Sequence, residues 1–219
     1  MAIDYRPPPD TGLDIRYRDE HLIVLDKPSG LLSVPGRGED RHDSLSTRVQ
    51  REFPQALVVH RLDMSTSGLM LMALSDKAQS RLGRLFQQRQ VHKEYLAVTG
   101  GCPEPAEGQI DLPLILDWPN RPKQMVDHEI GKPSLTRYRV IAHDAQSDTA
   151  RVHLEPHTGR SHQLRVHLMA IGHPILGDEL YATPHWRDAA PRLLLHAARL
   201  AFEHPISGES LDIRSAPAF

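Results

Sequence analysis

His60, Arg61 and Asp63 lie within four positions of one another, between the β-branched pair Val58-Val59 and the apolar run Leu69 to Leu74. The pattern reads as a strand, a polar loop and a second strand, with Gly68 releasing the chain into the apolar run. An ionised carboxylate in such a loop can act as a nucleophile or as a general base, and a nearby cation can keep it charged. Burying charge is tolerated only when it is paired or used. The plainer alternative is an Arg-Asp pair that only fixes the loop, because structural ion pairs resemble active sites in their electrostatics. His-Arg followed by an acid also occurs in protein kinases. That chemistry needs a glycine-rich phosphate loop, a strand lysine and Asp-Phe-Gly, and the chain has none of them.

A second polar concentration runs from Pro156 to His167 and holds three of the fourteen histidines. Metal binding is the first chemistry to test there. His162 and His167 are five apart, about 140° around a helix of roughly 3.6 residues per turn, so they do not share a ligand face. Cys102 is the single cysteine, without a partner for a disulfide or a thiolate site. No metal is expected.

The elements that must position these groups follow from pattern. Short strands are expected over 14–17 and 22–27, the latter stopped by Pro28-Ser29-Gly30. The spacing predicts a helix over 44–53 with Ser44 as N-cap and Pro54 past its end. A second helix runs from Ser75 to about Arg89, with Ala78, Leu82, Leu85 and Phe86 on one face. Its opposite face carries Arg81, Arg84 and Arg89, which suits either a solvated surface or an RNA contact. A strand over 92–98 places Lys93, Tyr95 and Ala97 on one side. Residues 100–108 and 117–124 read as loops, the second with Trp118 beside Arg121 and Lys123, suited to stacking and phosphate contact or to a rigid surface turn. Strands are expected over 134–142 and 149–155, a helix ending at Ile171 before Gly172, and closing strands over 193–202 and 211–214.

A chain of 219 residues is sized for one domain. Residues 1–13 are expected to be a flexible N-terminal segment, and 14–219 a catalytic domain. The polar, proline-rich start is unlike a signal peptide, and no apolar run reaches eighteen residues, so a cytoplasmic protein without a membrane segment is expected. A net charge of −2 argues against a protein that coats nucleic acid by charge alone. Residues 60–93 nevertheless hold six Lys or Arg against two acids, which leaves room for a local basic face.

His60-Arg61-Leu62-Asp63, followed by Thr66-Ser67-Gly68, resembles the H-R-L-D-x-x-T-S-G signature of the RluA family of pseudouridine synthases at every specified position. Lys27 to Gly36 resembles the first motif of that family and suggests scaffolding. Lys93-x-Tyr95 resembles its second recurrent element, Gly159 to His167 its third motif, and Leu193 to Ala197 the apolar segment that follows. The resemblance runs from Lys27 to the C-terminus in family order.

It implies an α+β fold, a mixed and mostly antiparallel sheet with flanking helices and a central active-site cleft. It also implies isomerisation of RNA uridines to pseudouridine without a cofactor. Asp63 would be the catalytic carboxylate, either attacking the sugar or taking its 2′ proton. Arg165 would be its paired cation, favouring the anionic form. Tyr95 would stack on the target uracil, Arg61 would fill the place vacated when the base is flipped out, and Leu195 would form an apolar wall. Extruding a base costs a few kcal/mol and stacking returns roughly 1–3 kcal/mol. Asp117 to Gln124 makes the chain look most like a dual-specificity member acting on a loop uridine of 23S rRNA and on the first nucleotide of the tRNA anticodon loop. Such a monomer would lack the S4-type RNA-binding domain of larger relatives. The alternatives are a synthase acting on one RNA class, a non-catalytic RNA-binding module, and a metal-dependent hydrolase.

Overall fold

The computed structural model describes residues 5–219, Glu39 by its backbone alone. In chain order the elements are β1 (Ile15–Arg18), β2 (Leu22–Lys27), α1 (Leu45–Glu52), β3 (Leu57–Val58), β4 (Ser67–Ala73), α2 (Asp76–Gln87), β5 (His92–Gly100), β6 (Glu107–Asp111), β7 (Leu114–Leu116), β8 (Gln124–Val126), β9 (Leu135–Asp144), β10 (Thr149–Pro156), α3 (Gln163–Ala170), α4 (Pro184–Asp188), β11 (Leu195–Glu203) and β12 (Ser210–Arg214). Two compact units divide the chain, Met1–Lys93 with His196–Ala218 and Glu94–Leu195 with Phe219.

In the first unit β2 and β4 are covered on both faces, which is why each reads as a continuous apolar run rather than an alternating one. They pair antiparallel, Leu22 opposite Ala73 and Lys27 opposite Gly68. β1 pairs antiparallel with β2, and two-residue β3 meets the end of β4. β11 runs parallel to β4 at Ser67 and Gly68, and β12 returns antiparallel to β11. The sheet is therefore mixed and mostly antiparallel. α2 buries Ala78 and Leu82 against Leu69, Leu71, Leu200 and Phe202, the face its apolar spacing predicts. Ser44 and Thr47 cap α1 reciprocally. Within the expected flexible segment, Tyr5 is buried and its hydroxyl donates to the Asp43 carbonyl at 2.8 Å. Arg48 donates to the carbonyls of Pro8 and Pro9 at 2.6 and 3.3 Å. Residues 1–4 lie outside the described part.

In the second unit β5, β10, β9 and β6 form an antiparallel ladder, and β7 and β8 make a separate hairpin. Val152 and Leu154 of β10 pack with Leu164 and Leu168 of α3. β6, β7 and β8 fall where loops or nothing were expected. β6 reads Glu-Gly-Gln-Ile-Asp and buries only Ile110, so pairing with β9 makes it a strand and side-chain propensity does not. Among the described residues no helix is long and apolar enough to cross a membrane.

Candidate active site

The loop between β3 and β4 is gripped through its main chain on both sides of Asp63. Ser33 Oγ donates to the Leu62 carbonyl at 2.7 Å and accepts the Leu62 amide at 3.0 Å. The Met64 carbonyl accepts from the Gly30 amide at 2.9 Å and from Lys27 Nζ at 3.0 Å. Ser29 Oγ donates to the Ser65 carbonyl at 2.6 Å. The first motif, Lys27 to Ser33, is thus the clamp that holds the Asp63 loop.

Lys27 is fully buried, and its Nζ also donates to the carbonyls of Pro28 and Leu31 at 3.0 and 2.7 Å. Three acceptors match the three donors of an ammonium. Burial pulls its pKa down to about 7, against the opposing pull of Asp63 and Asp26.

His60 is structural. Its Nε2 accepts the Leu71 amide at 2.9 Å and its ring stacks on Phe86 with centroids 4.6 Å apart. Burial, with a smaller contribution from Lys93, holds its pKa down at about 3, so the ring is neutral at physiological pH. Of the three polar groups that opened the sequence reading, this one carries no charge. Arg61 is exposed and Asp63 partly buried.

At the exit of the loop, Ser67 Oγ lies 2.9 Å from His196 Nδ1, and His196 Nε2 lies 3.0 Å from Ser215 Oγ. Ser215 donates to Asp26, so His196 must donate from Nε2 and accept from Ser67 at Nδ1. Gly68 has φ +108, and a Cβ there would sit 2.4 Å from the Ala197 carbonyl oxygen, so only glycine lets β4 approach β11 this closely.

In the second unit Tyr95 stands opposite Leu154 and packs on the cluster that contains Leu164 and Leu195. Leu195, expected as an apolar wall, is 3% exposed. Arg165 on α3 is 4% exposed and makes a bidentate pair with the fully buried Asp178, Nε to Oδ2 at 2.8 Å and Nη2 to Oδ1 at 2.6 Å. Its guanidinium carbon lies 5.1 Å from the centroid of the Tyr181 ring. Sequence reasoning named only Asp63 as a partner for Arg165 and missed Asp178, which no periodicity marks.

The histidines of the third motif have other work. His167 accepts from Thr136 at Nδ1 (2.9 Å) and donates to the Leu112 carbonyl from Nε2 (3.0 Å), and burial lowers its pKa. His162 Nδ1 lies 2.7 Å from the Tyr181 hydroxyl. Among the described residues no cluster of His, Cys, Asp or Glu has the arrangement of a metal site. The basic face of α2 is also not uniform. Arg84 is exposed on α2; Arg89, expected at the end of that helix, is exposed beyond its actual end at Gln87 with φ 60; and Arg81 Nη1 donates to the Pro205 carbonyl at 2.7 Å.

Residues 21–170 match the family model described as RNA pseudouridylate synthase, and the chain belongs to that family. It is an isomerase that converts uridine in RNA to pseudouridine. The chain is 56% identical over 215 residues to the dual-specificity RNA pseudouridine synthase RluA of Escherichia coli K12, covering 98% of this chain and 97% of that protein. It is 51% identical over 217 residues to the protein of the same name from Pasteurella multocida, covering 99% of each. Among solved structures, human RNA pseudouridylate synthase domain containing 1 superposes with a TM-score of 0.81 at 32% identity, covering 98% of this chain and 87% of that one. Human RNA pseudouridylate synthase domain containing 4 gives 0.73 at 27%, covering 94% and 89%.

Proposed function

We propose that this enzyme has two RNA substrates, a loop uridine of 23S rRNA and the first nucleotide of the tRNA anticodon loop, and that Asp63 is its catalytic carboxylate. The observation that carries the role of Asp63 is the clamp. Lys27, Ser29 and Ser33 fix the main chain at Leu62, Met64 and Ser65 on either side of Asp63, so position 63 is set in place by the backbone of its neighbours. Dual specificity is supported by 56% identity across 98% of the chain to an enzyme of that name and by the Asp117 to Gln124 segment.

In this reading Arg165 is a cation of the substrate site, Tyr95 stacks on the extruded uracil, Leu195 walls the pocket and Arg61 occupies the gap left in the RNA. The glycosidic bond breaks, the uracil turns, and a bond from C5 to C1′ forms, with no redox change and no cofactor. The enzyme works as a cytoplasmic monomer. Recognition rests on RNA shape and backbone contacts by Arg84, Arg89 and the 117–123 hairpin loop, which tolerates two unrelated sequences that adopt one loop shape.

Tritium release from C5-labelled uridine, measured on an anticodon stem-loop and on a 23S rRNA fragment, tests the pairing of substrates. Release from both is expected. Release from one alone, under conditions that convert it fully, would restrict the enzyme to a single RNA class.

A further inference from the structure

Arg165 is held by a turn that also reaches the β7–β8 hairpin. Asp178 Oδ1, besides pairing with Arg165, accepts the Leu180 and Tyr181 amides at 2.9 and 3.2 Å, so the carboxylate that grips the arginine also folds the turn ending in Tyr181. The Tyr181 ring lies beside the guanidinium, 5.1 Å from centroid to carbon, a cation–π distance. The Tyr181 hydroxyl accepts the backbone amide of Gln124 at 2.8 Å. The same hydroxyl is hydrogen-bonded to His162 Nδ1, 2.7 Å away.

Gln124 is the first residue of β8, directly after the 117–123 loop, where Arg121 stacks on the exposed Trp118 at 4.1 Å. His162 precedes α3 in the left-handed region, φ 54, a conformation that a non-glycine residue keeps only when its surroundings impose it. Tyr181 supplies one of those constraints through its contact with His162, which lies three residues before Arg165.

We propose that Tyr181 is a positioning residue for Arg165, and that its hydroxyl makes the setting of the guanidinium depend on the hairpin that contacts RNA. The proposal rests on the reading of Arg165 as a cation of the substrate site. Asp178 and the Tyr181 ring fix the plane of the guanidinium. The hydroxyl ties that plane to β8 on one side and to the start of α3 on the other.

Tyr181→Phe keeps the ring and removes the hydroxyl. His162→Asn cuts the same bond from the other side, with a residue that tolerates the left-handed backbone. Single-turnover tritium release at saturating RNA is measured for each variant, for the double variant, and for Tyr181→Phe in an Arg165→Lys background. Each single variant is expected to lose about tenfold in rate, with RNA affinity within about twofold. The double is expected to be no worse than the weaker single, and Tyr181→Phe to add less than about twofold on Arg165→Lys.

Full rate in both single variants overturns the proposal, as does a loss of affinity at unchanged saturated rate. A further full loss in the Arg165→Lys background overturns it too, because Tyr181 would then act through another group. Should Tyr181→Phe fail to fold, His162→Asn alone decides between full and reduced rate. Asp63→Asn is run alongside. Turnover by that variant brings down the reading of the site and the proposal with it, whereas a dead Asp63→Asn beside a fully active Tyr181→Phe removes the proposal alone.

Discussion

Lys27 Nζ donates to the carbonyl of Met64 at 3.0 Å across 37 positions of sequence, joining the end of β2 to the residue after Asp63. Because all three of its acceptors are main-chain carbonyls, its role is to hold backbone. Lys27→Met is expected to lower stability by at least about 2 kcal/mol, since buried acceptors left without donors cost roughly 1–3 kcal/mol. For a chain of this size that is a fall in Tm on the order of 5 °C or more. Below the melting transition turnover should remain within about tenfold of the parent. Thermal unfolding and tritium release on one preparation decide it, and unchanged melting with abolished turnover would make Lys27 chemical instead.

The histidine beside the same loop gives a pH dependence of stability. His60 has a folded-state pKa lowered to about 3 from 6.5. Between these values the unfolded chain binds a proton that the folded chain does not, so stability is full above pH 6.5 and is lost as pH falls toward 3. The slope from this group approaches about 1.4 kcal/mol per pH unit. His60→Gln retains an acceptor for the Leu71 amide and does not titrate. Urea unfolding at pH 7 and at pH 4.5 should show the parent losing roughly 2–3 kcal/mol more than the variant. Equal acid sensitivity would mean that His60 protonates freely in the folded protein.

Tyr95→Phe keeps the ring on the Leu195 cluster. The expected outcome is RNA affinity within about twofold and a single-turnover rate lower by about a hundredfold, the size of a lost proton-transfer group. Weakened affinity with full turnover at saturation would contradict both the stacking and the proton-exchange role.

Arg81 and Arg84 of α2, and Arg89 beyond its end, should divide by exposure. Arg84→Ala and Arg89→Ala are each expected to reduce the salt dependence of RNA affinity by close to one counterion in the logarithmic slope. Arg81→Ala, whose guanidinium is engaged with the Pro205 carbonyl, should leave that slope unchanged and lower stability. Affinity of each variant across a salt series measures it. The isolated anticodon stem-loop should be modified nearly as fast as the intact tRNA.

What the sequence made legible were features carried by local pattern. β2 lies where its apolar run ends at Pro28, and α1 begins one residue after its serine cap. α2 buries the face its spacing predicts. Segments whose structure comes from partners were not legible. Nothing in Glu107 to Asp111 marks a strand, because β9 supplies the pairing. Lys27 read as the last residue of a strand and its side-chain role stayed hidden, since a buried ammonium is recognisable only once three carbonyls are seen to converge on it. Asp178 and Tyr181 were missed for the same reason, being adjacent to Arg165 in space and thirteen or more residues away in sequence.

Single-turnover tritium release by Asp63→Asn, measured beside RNA affinity on the anticodon stem-loop, tests the central claim most directly. No release above background is expected, with affinity within a few fold of the parent. Appreciable release by the purified variant would contradict it, since the substitution keeps the shape of the side chain and removes only the charge on which both chemical routes depend.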